Sequence, residues 1–196
     1  MTETYDEHAA AAPARVTGLA LAAGGAIGLL AAFVLTVERF RLLENPEHRL
    51  SCDLSPILSC GSVMVTEQAR VFGFPNPLLG IGAFSVVLTL GVLLAGGVRL
   101  PRWVLAGFAG GACLGLVFVA WLSFQSIYRI GALCPWCMVV WSVTIPIAVW
   151  TLALAARPHP LGRVLWDYRH LVVVTLYLAL VVQALVRFWD YWRTLV

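Results

Sequence analysis

The chain has 196 residues, of which 61% are hydrophobic and only 12% are charged. Soluble domains carry roughly 25% charged residues, and a water-soluble fold of this length could not cover so many apolar side chains. The net charge is only +3, and its thirteen cationic residues, all Arg, are spread along the chain. The composition therefore predicts a protein of the lipid bilayer and argues against a basic patch that binds nucleic acid.

Five apolar segments are long enough to cross a bilayer, which takes about 20 residues of helix. In chain order they are residues 16–37, 77–98, 103–126, 135–156 and 171–189. The first four contain no charged residue, and the fifth has only Arg187, near its end. Because the first apolar run is longer than that of a signal peptide and follows an acidic tail, it is predicted to be an uncleaved span. Together the segments predict an all-α integral membrane fold in a single transmembrane domain, residues 1–196.

The distribution of arginine predicts the orientation of these spans. The short connections, residues 99–102 and 157–169, hold five Arg, whereas the long first loop, residues 38–76, holds four Arg and five acidic residues. Cytoplasmic loops are the ones enriched in Lys and Arg. We therefore expect the N-terminus and the short connections in the cytoplasm, and the long loop and the C-terminus outside the inner or plasma membrane.

Four of the five cysteines form two pairs. Cys52 and Cys60 lie in the long first loop, and Cys134 and Cys137 form a Cys-Pro-Trp-Cys motif at the start of the fourth span. Alternation of the spans puts both pairs on one membrane face, which the arginine distribution makes the oxidising side. Proline favours the first helical position, so Cys134 is predicted to be an N-cap, where free backbone N–H groups stabilise a thiolate. This arrangement predicts a reversible dithiol/disulfide pair.

Other uses of the cysteines fit the pattern less well. Structural zinc sites use short ligand spacings, but seven residues separate Cys52 from Cys60, and we expect no metal. All four His residues lie outside the spans or at their edges, so no haem is expected either. A membrane scaffold or transporter component stapled by structural disulfides remains the alternative from another class.

Cys113, the fifth cysteine, lies within the third span. Gly107, Gly111 and Gly115 repeat there at every fourth residue, a pattern that lets helices approach closely in a bilayer. We therefore predict that the glycines form a helix contact and that Cys113 is an inert packing residue.

The loop after Cys60 is predicted to contain a short half-helix over residues 63–72, stopped by Gly73. It is too short to span and too apolar to lie free in water, so we expect it to fold back onto the bundle. This would bring Cys60 near Cys134 and leave Cys52 on a polar stretch. Polar candidates to face a pocket there are Ser62, Thr66 and Asn76.

Aromatic residues are dense around the same end of the spans. They are Phe72, Phe74, Trp121, Phe124, Tyr128, Trp136 and Trp141. An aromatic belt at the membrane interface explains this density, and so does a site for a flat apolar ligand. The sequence leaves both interpretations open.

Taken together, these motifs resemble the vitamin K epoxide reductase family in its bacterial form, over residues 16–156. The elements that carry the resemblance are the loop pair Cys52/Cys60, the C-x-x-C motif that opens the fourth span, Thr66 six residues after the second loop cysteine, and the Asn-Pro-Leu-Leu-Gly stretch that begins at Asn76. Their order and spacing are specific in combination, although each alone is common.

The resemblance implies a four-helix bundle around a quinone site, with the fifth span as the extra helix of bacterial members. By the family pattern, Cys137 works on the quinone and Cys134 exchanges with Cys60. Cys52 takes electrons from a partner protein.

The resemblance also assigns quinone-binding positions. Thr66 and Asn76 match polar positions of the family. From the aromatic residues at this end of the spans, Phe72 and Trp141 are added as candidate quinone-binding residues. Trp141 stands where family members often have a tyrosine, so a phenol is replaced by an indole.

The implied function is that of a membrane thiol:quinone oxidoreductase that reoxidises a DsbA-like protein of the thioredoxin fold. Some members carry a fused thioredoxin-like domain, but this chain reaches Val196 without one, so a separate partner is expected. The composition, rich in Arg, Ala, Gly and Val, is typical of a GC-rich bacterium and favours menaquinone. Reduction of vitamin K epoxide itself is the rival within the same enzyme class.

Overall fold

The protein is an all-α structure dominated by five long helices. A computed structural model describes residues 2–55 and 57–193, and the side chains of residues 14–55, 57–191 and 193. The long helices are α1 (Thr2–Glu44), α3 (Pro77–Ala95), α4 (Arg102–Phe124), α5 (Pro135–Ala156) and α6 (Pro160–Arg187). Each contains a stretch long and apolar enough to cross a membrane. The prediction of an all-α, multi-pass membrane protein is confirmed.

Proline sets the start of three of these helices. Pro77, Pro135 and Pro160 each occupy an N-terminal helical position, where the missing N–H would have no partner anyway. The fourth predicted span coincides with α5. The fifth predicted span, residues 171–189, lies largely within α6, but the helix itself already begins at Pro160. Charged residues in the intervening stretch lower its hydropathy but do not stop a helix from continuing beyond the bilayer.

Helix α4 does not end cleanly. Its last turn widens into one turn of π-helix, Gln125–Ile130, in which the Gly131 N–H reaches the Ser126 carbonyl at 3.0 Å. Gly131 then reverses the chain with a φ of +73°, a left-handed conformation that suits glycine. The chain reaches the start of α5 within a few residues, so the end of α4 lies beside the start of α5.

The first loop carries two short helices instead of the one predicted. They are α2 (Cys60–Met64) and a 3₁₀-helix, Glu67–Arg70. The prediction of a single helix over residues 63–72 was wrong because Ser59 caps the chain earlier: its hydroxyl accepts the Ser62 N–H at 3.1 Å. A last short helix, α7 (Trp189–Trp192), follows α6.

The bundle is held by close contact between α1 and α3 and by the packing of both α4 and α6 on α5. A Cβ at Gly25 would lie 2.6 Å from the Leu88 nitrogen, and one at Gly91 would lie 2.5 Å from the Ala22 nitrogen. These two glycines therefore allow α1 and α3 to approach more closely than larger residues would. The buried core between α1, α3, α4 and α5 comprises Leu21, Ala32, Phe84, Val87, Leu94, Phe108, Val143 and Ile147.

Candidate redox site and its cavity

A backbone clip joins the first loop to the chain just ahead of α5. Leu58 and Leu133 form a parallel β-bridge. The Ser59 N–H donates to the Leu133 carbonyl at 3.0 Å, and the Leu133 N–H donates to the Ile57 carbonyl at 2.7 Å. Cys60 follows Leu58 by two residues, and Cys134 follows Leu133 directly. The clip thus aligns the two cysteine pairs.

The four paired cysteines meet at one end of the bundle. Cys52 and Cys60 form a disulfide, with their Cα atoms 5.7 Å apart, whereas Cys134 and Cys137 are free thiols. The Cys134 Sγ lies 3.3 Å from the Cys60 Sγ, although the two residues are 74 positions apart in the chain. This contact brings together the residues that the loop prediction expected to be neighbours. Among the described residues, no group of three His, Cys, Asp or Glu could hold a metal ion.

The disulfide is buried rather than exposed. Cys52 is only 4% exposed and packs with Leu35, Leu50 and Met64. Cys52 lies on a polar stretch as expected, between the exposed Ser51 and Asp53, but its own side chain is buried because apolar side chains pack over the disulfide. A protein that reduces this pair must first displace that cover.

Cys134 occupies the N-cap of α5, as the motif predicted. Its sulfur accepts the Cys137 backbone N–H at 3.3 Å. The hydrogen bond with the Cys137 side chain, aided by the backbone N–H groups of Cys137 and Trp136, holds the pKa of the Cys134 thiol below its ordinary value. Burial and the nearby charge of Asp53 act in the opposite direction but do not cancel this effect. Cys134 is therefore the thiol of this site prepared to act as a thiolate.

Asp53 fixes the loop around the disulfide. Its Oδ1 atom accepts the Ser59 hydroxyl at 2.8 Å and the Gly61 N–H at 3.0 Å. Ser59 and Gly61 flank Cys60, and Asp53 follows Cys52 directly, so this carboxylate ties the two halves of the loop pair together. The tie does not depend on the covalent bond between the sulfurs.

Below the cysteines lies a cavity of about 940 Å³. One wall comes from α1 and α3, the opposite wall from α4, and the floor from Cys137, Val140, Trp141, Thr144 and Ile147 of α5. The loop covers its upper end. Cys137 lines this cavity and Cys134 does not, so the C-x-x-C motif has one sulfur toward the loop pair and one toward the cavity.

Comparison with known protein families shows to which family this chain, with its two cysteine pairs and cavity, belongs. The model of the Vitamin K epoxide reductase family matches residues 19–152, which include all four paired cysteines and the whole of the cavity lining. The chain belongs to this family. A comparison with curated proteins returned no match. Family membership makes the protein an oxidoreductase of the membrane thiol–disulfide and quinone class, and the family predicted from the sequence is confirmed. The bacterial form stays a prediction. Helix α6 lies outside the matched residues.

All four predicted binding positions line the cavity: Thr66, Phe72, Asn76 and Trp141. Ser62, the other polar candidate, does not line it, because its hydroxyl hydrogen-bonds Ser59 at the start of α2. The remaining aromatic candidates, Phe74, Trp121, Phe124, Tyr128 and Trp136, are likewise not part of the lining.

The two polar candidates also hold the loop. The Thr66 hydroxyl donates to the Val63 carbonyl at 2.8 Å. The Asn76 Nδ2 donates to the Gln68 carbonyl at 2.7 Å, and its Oδ1 accepts the Val71 N–H at 3.1 Å. Asn76 thus braces the 3₁₀-helix against the start of α3, and any bond that it makes to a ligand uses its remaining donor and acceptor capacity.

Sequence reasoning missed several polar lining residues, namely Arg39, Gln68, Gln125, Ser126 and Thr144. A lone amide such as Gln125 at the end of an apolar span is normally interpreted as an interfacial residue, so its position carries little signal. The stretch before it, residues 103–124, is apolar except for Ser123 and gave no reason to expect a cavity on that side of the helix.

The glycine repeat of α4 serves the cavity and not a helix contact. A Cβ at Gly107 or Gly111 would meet nothing within 4 Å, and at Gly115 only the Thr144 methyl at 4.0 Å. All three glycines line the cavity, so the predicted close helix packing was wrong. Cys113 is a half-buried free thiol outside the lining, and its inert role stays a prediction.

Proposed function

We propose that the protein oxidises the dithiol of an exported partner and passes the electrons to a membrane quinone. The observation that carries this proposal is the 3.3 Å contact between the Cys134 and Cys60 sulfurs, together with Cys137 in the wall of the cavity. The two cysteine pairs thus form one continuous path from the loop to the cavity. Chain-wide, we propose one transmembrane domain, residues 1–196, with a core near residues 16–156 and α6 as an accessory helix.

Each step of the proposed path is a balanced thiol–disulfide exchange. The partner's dithiol reduces the Cys52–Cys60 disulfide and leaves as a disulfide. The Cys60 thiolate then attacks Cys134 of an oxidised Cys134–Cys137 pair, which releases the Cys137 thiolate. Cys52 attacks Cys60 in turn, re-forms the loop disulfide and releases Cys134 as a thiolate.

The four cysteines have the oxidation states that are expected once this exchange is complete. The loop pair is a disulfide and both thiols of the C-x-x-C motif are free. In this state Cys134 and Cys137 hold the two electrons and two protons that reduce a quinone to a quinol. The lowered pKa of Cys134 supports its role as the thiolate that leaves and later re-forms the Cys134–Cys137 disulfide.

The cavity fits a quinone with an apolar tail. Its polar lining near Cys137 comes from the loop (Thr66, Gln68, Asn76) and from the π turn (Gln125, Ser126). Along α4 the lining runs from Gln125 back to Trp103, a helical distance of about 33 Å that matches the thickness of a bilayer core. We propose that the ring lies at the Cys137 end with Phe72 and Trp141 around it, and that the tail follows the glycine face of α4. Menaquinone is our choice of quinone.

For the partner we propose a DsbA-like protein of the thioredoxin fold on the outer side of the inner or plasma membrane. The arginine-rich stretches at the N-terminal ends of α4 and α6, residues 99–102 and 157–169, support a cytoplasmic N-terminus. The buried position of Cys52 calls for a partner that binds the loop and displaces Leu50 and its neighbours. A folded protein with an apolar surface around its active cysteine meets this requirement better than a small dithiol.

Electron transfer with purified components tests the function. The full chain in detergent or nanodiscs is mixed with a reduced DsbA-like protein and a soluble menaquinone analogue, and quinone absorbance is followed. We expect quinone reduction matched by oxidation of the partner, and its loss in Cys137→Ala, whereas Cys113→Ala serves as the matched control. Absence of quinone reduction in the folded wild-type protein, with any thiol donor, would overturn the proposal.

A further inference from the structure

Two arginines stack on one tryptophan at the end of the bundle opposite the cysteines. The guanidinium carbon of Arg157 lies 4.5 Å from the ring centroid of Trp166, and that of Arg169 lies 4.2 Å from the same centroid. All three side chains are half-buried. The indole attracts each cation, but it also holds two positive charges close together, and such a pair repels itself unless an anion is present.

The turn between α5 and α6 builds this arrangement. A Cβ at Gly162 would lie 1.8 Å from the Ala156 carbonyl oxygen, so the glycine lets the first turn of α6 pack directly on the end of α5. Arg157 follows Ala156 and thereby reaches Trp166 on α6. Side chains of a helix lean toward its N-terminus, so the Arg169 guanidinium returns to Trp166 and donates to its carbonyl. Helix packing thus brings the two guanidinium groups together.

The described part of the chain supplies no counter-charge to this pair. No carboxylate of a described residue lies within 4.0 Å of either guanidinium group. Asp167, the acidic residue nearest in sequence, is exposed and pairs with neither of them. Each guanidinium has five N–H donors, and the contact with the Trp166 carbonyl uses one nitrogen of Arg169. Most of these donors are therefore available to an anion from outside the chain.

The pair lies at the depth of the lipid phosphates. Helix α5 begins after its N-cap Cys134, and its 22 residues are about 33 Å long, the thickness of a bilayer core. Arg157, the C-cap of α5, therefore lies where the hydrocarbon ends on the membrane face away from the cysteines. Basic pockets between transmembrane helices at this level bind the head groups of anionic lipids, and tryptophan is enriched there.

We propose that Arg157 and Arg169, held by Trp166, bind the phosphodiester group of an anionic membrane lipid such as phosphatidylglycerol. Both guanidinium carbons lie within 4.5 Å of one ring centroid, so both can reach a single phosphate group. Guanidinium groups match phosphate oxygens with pairs of parallel N–H bonds. A zwitterionic lipid carries a cation beside its phosphate and relieves less of the repulsion. None of the three residues lines the cavity, so the site does not depend on the proposed function.

Lipid binding to the full chain tests the site. The purified protein in a neutral detergent is titrated with dioleoylphosphatidylglycerol or with dioleoylphosphatidylcholine, and bound lipid is counted by native mass spectrometry. We expect the wild-type protein to prefer the anionic lipid. Arg157→Gln and Arg169→Gln should each weaken its binding about tenfold, the effect of losing one charged hydrogen-bonding group. Binding of the zwitterionic lipid should not change.

Two further substitutions separate the stacked pair from net charge. Arg163→Gln is the matched control, because Arg163 lies at the same end of α6 but is exposed and does not stack on Trp166; it should leave the affinity nearly unchanged. Trp166→Leu keeps both charges and removes the ring that holds them, so it should weaken binding of the anionic lipid. Trp166→Phe keeps an aromatic face and should retain most of the binding.

Thermal unfolding separates binding from folding. Without anionic lipid, Arg157→Gln and Arg169→Gln should unfold at the same temperature as the wild-type protein or at a higher one, because the repulsion between the two charges is removed. Phosphatidylglycerol should raise the unfolding temperature of the wild-type protein more than that of either variant, since a ligand stabilises the state that binds it.

Each competing explanation gives a different result, and each of these results would overturn the assignment. Equal losses in Arg163→Gln would show that diffuse positive charge attracts the lipid. Equal binding of both lipids by the wild-type protein would show no selectivity for an anionic head group. Displacement of the lipid by an equal concentration of inorganic phosphate would show that the site takes a free anion. Unchanged discrimination between the lipids in both glutamine variants, with lower unfolding temperatures, would make the pair a structural contact.

Discussion

Replacing Gly111 by leucine tests whether a quinone tail lies along α4. A Cβ at Gly111 would meet nothing within 4 Å, and Gly111 lines the cavity. A side chain at this position therefore starts in open space at the cavity, and leucine also removes a glycine, which weakens a helix by about 1 kcal/mol. We expect the fold to be retained or slightly stabilised while the path of the tail is blocked.

The magnitude follows from the volume that leucine takes. Its four carbons exclude about as many carbons of the tail from the cavity, each worth about 0.8 kcal/mol when buried. The loss is therefore about 3 kcal/mol, or roughly 100-fold in affinity, for a long-tailed quinone. A quinone without a tail should bind as before, because its ring lies at the Cys137 end.

The assay measures KM and Kd for a long-tailed and a tail-free quinone in Gly111→Leu and in a control variant. Gly110→Leu is the control, since Gly110 also has open space around its Cβ but does not line the cavity. Equal losses for both quinones in Gly111→Leu, or the same loss of tail binding in Gly110→Leu, would show that the tail does not follow this face of α4.

Three further predictions concern the cysteines. Cys52→Ala should stop oxidation of the protein partner. A small dithiol that enters the cavity and reduces the Cys134–Cys137 pair at Cys137 should still support quinone reduction, since Cys137 lines the cavity although Cys134 is buried. Equal losses with both donors in a folded protein would contradict the relay. Cys113→Ala should keep nearly full activity because this thiol lies outside the cavity, and a marked fall in turnover would show a role for it. In the protein with a reduced C-x-x-C pair, ultraviolet absorbance of the thiolate should show Cys134 titrating below the ordinary thiol pKa, mainly because of its bond with Cys137. The pKa of Cys134 is lower in the folded protein than in the unfolded one, so the free energy of unfolding should rise with pH between these two pKa values. This gain in stability should be lost as pH falls through the folded pKa. Cys137→Ala should weaken this pH dependence, and an unchanged titration of Cys134 in that variant would show that the bond with Cys137 is not the cause.

Much of the architecture could be predicted from residue type alone. Apolar runs of sufficient length require lipid as their solvent, so the five spans follow from hydropathy, and the bounds of α5 were predicted correctly. The N-cap role of Cys134 is equally local, because a cysteine followed by proline specifies where the helix starts. Hydropathy does not show where a helix ends: α6 runs through charged residues from Pro160, since a helix does not have to stop where the bilayer does.

Only the tertiary structure decided which groups face one another. The Cys60–Cys134 contact depends on a backbone clip between Leu58 and Leu133, and hydropathy contains no information about that pairing. The burial of Cys52 follows from the way the loop folds onto α1, and the glycines of α4 face a cavity only because α3 packs on α1 instead of on α4. Gln125 and Ser126 reach the cavity wall in the single widened turn that follows α4. Residue type fixes the solvent and the local conformation of each segment, whereas contacts between distant segments depend on the packing of the whole chain.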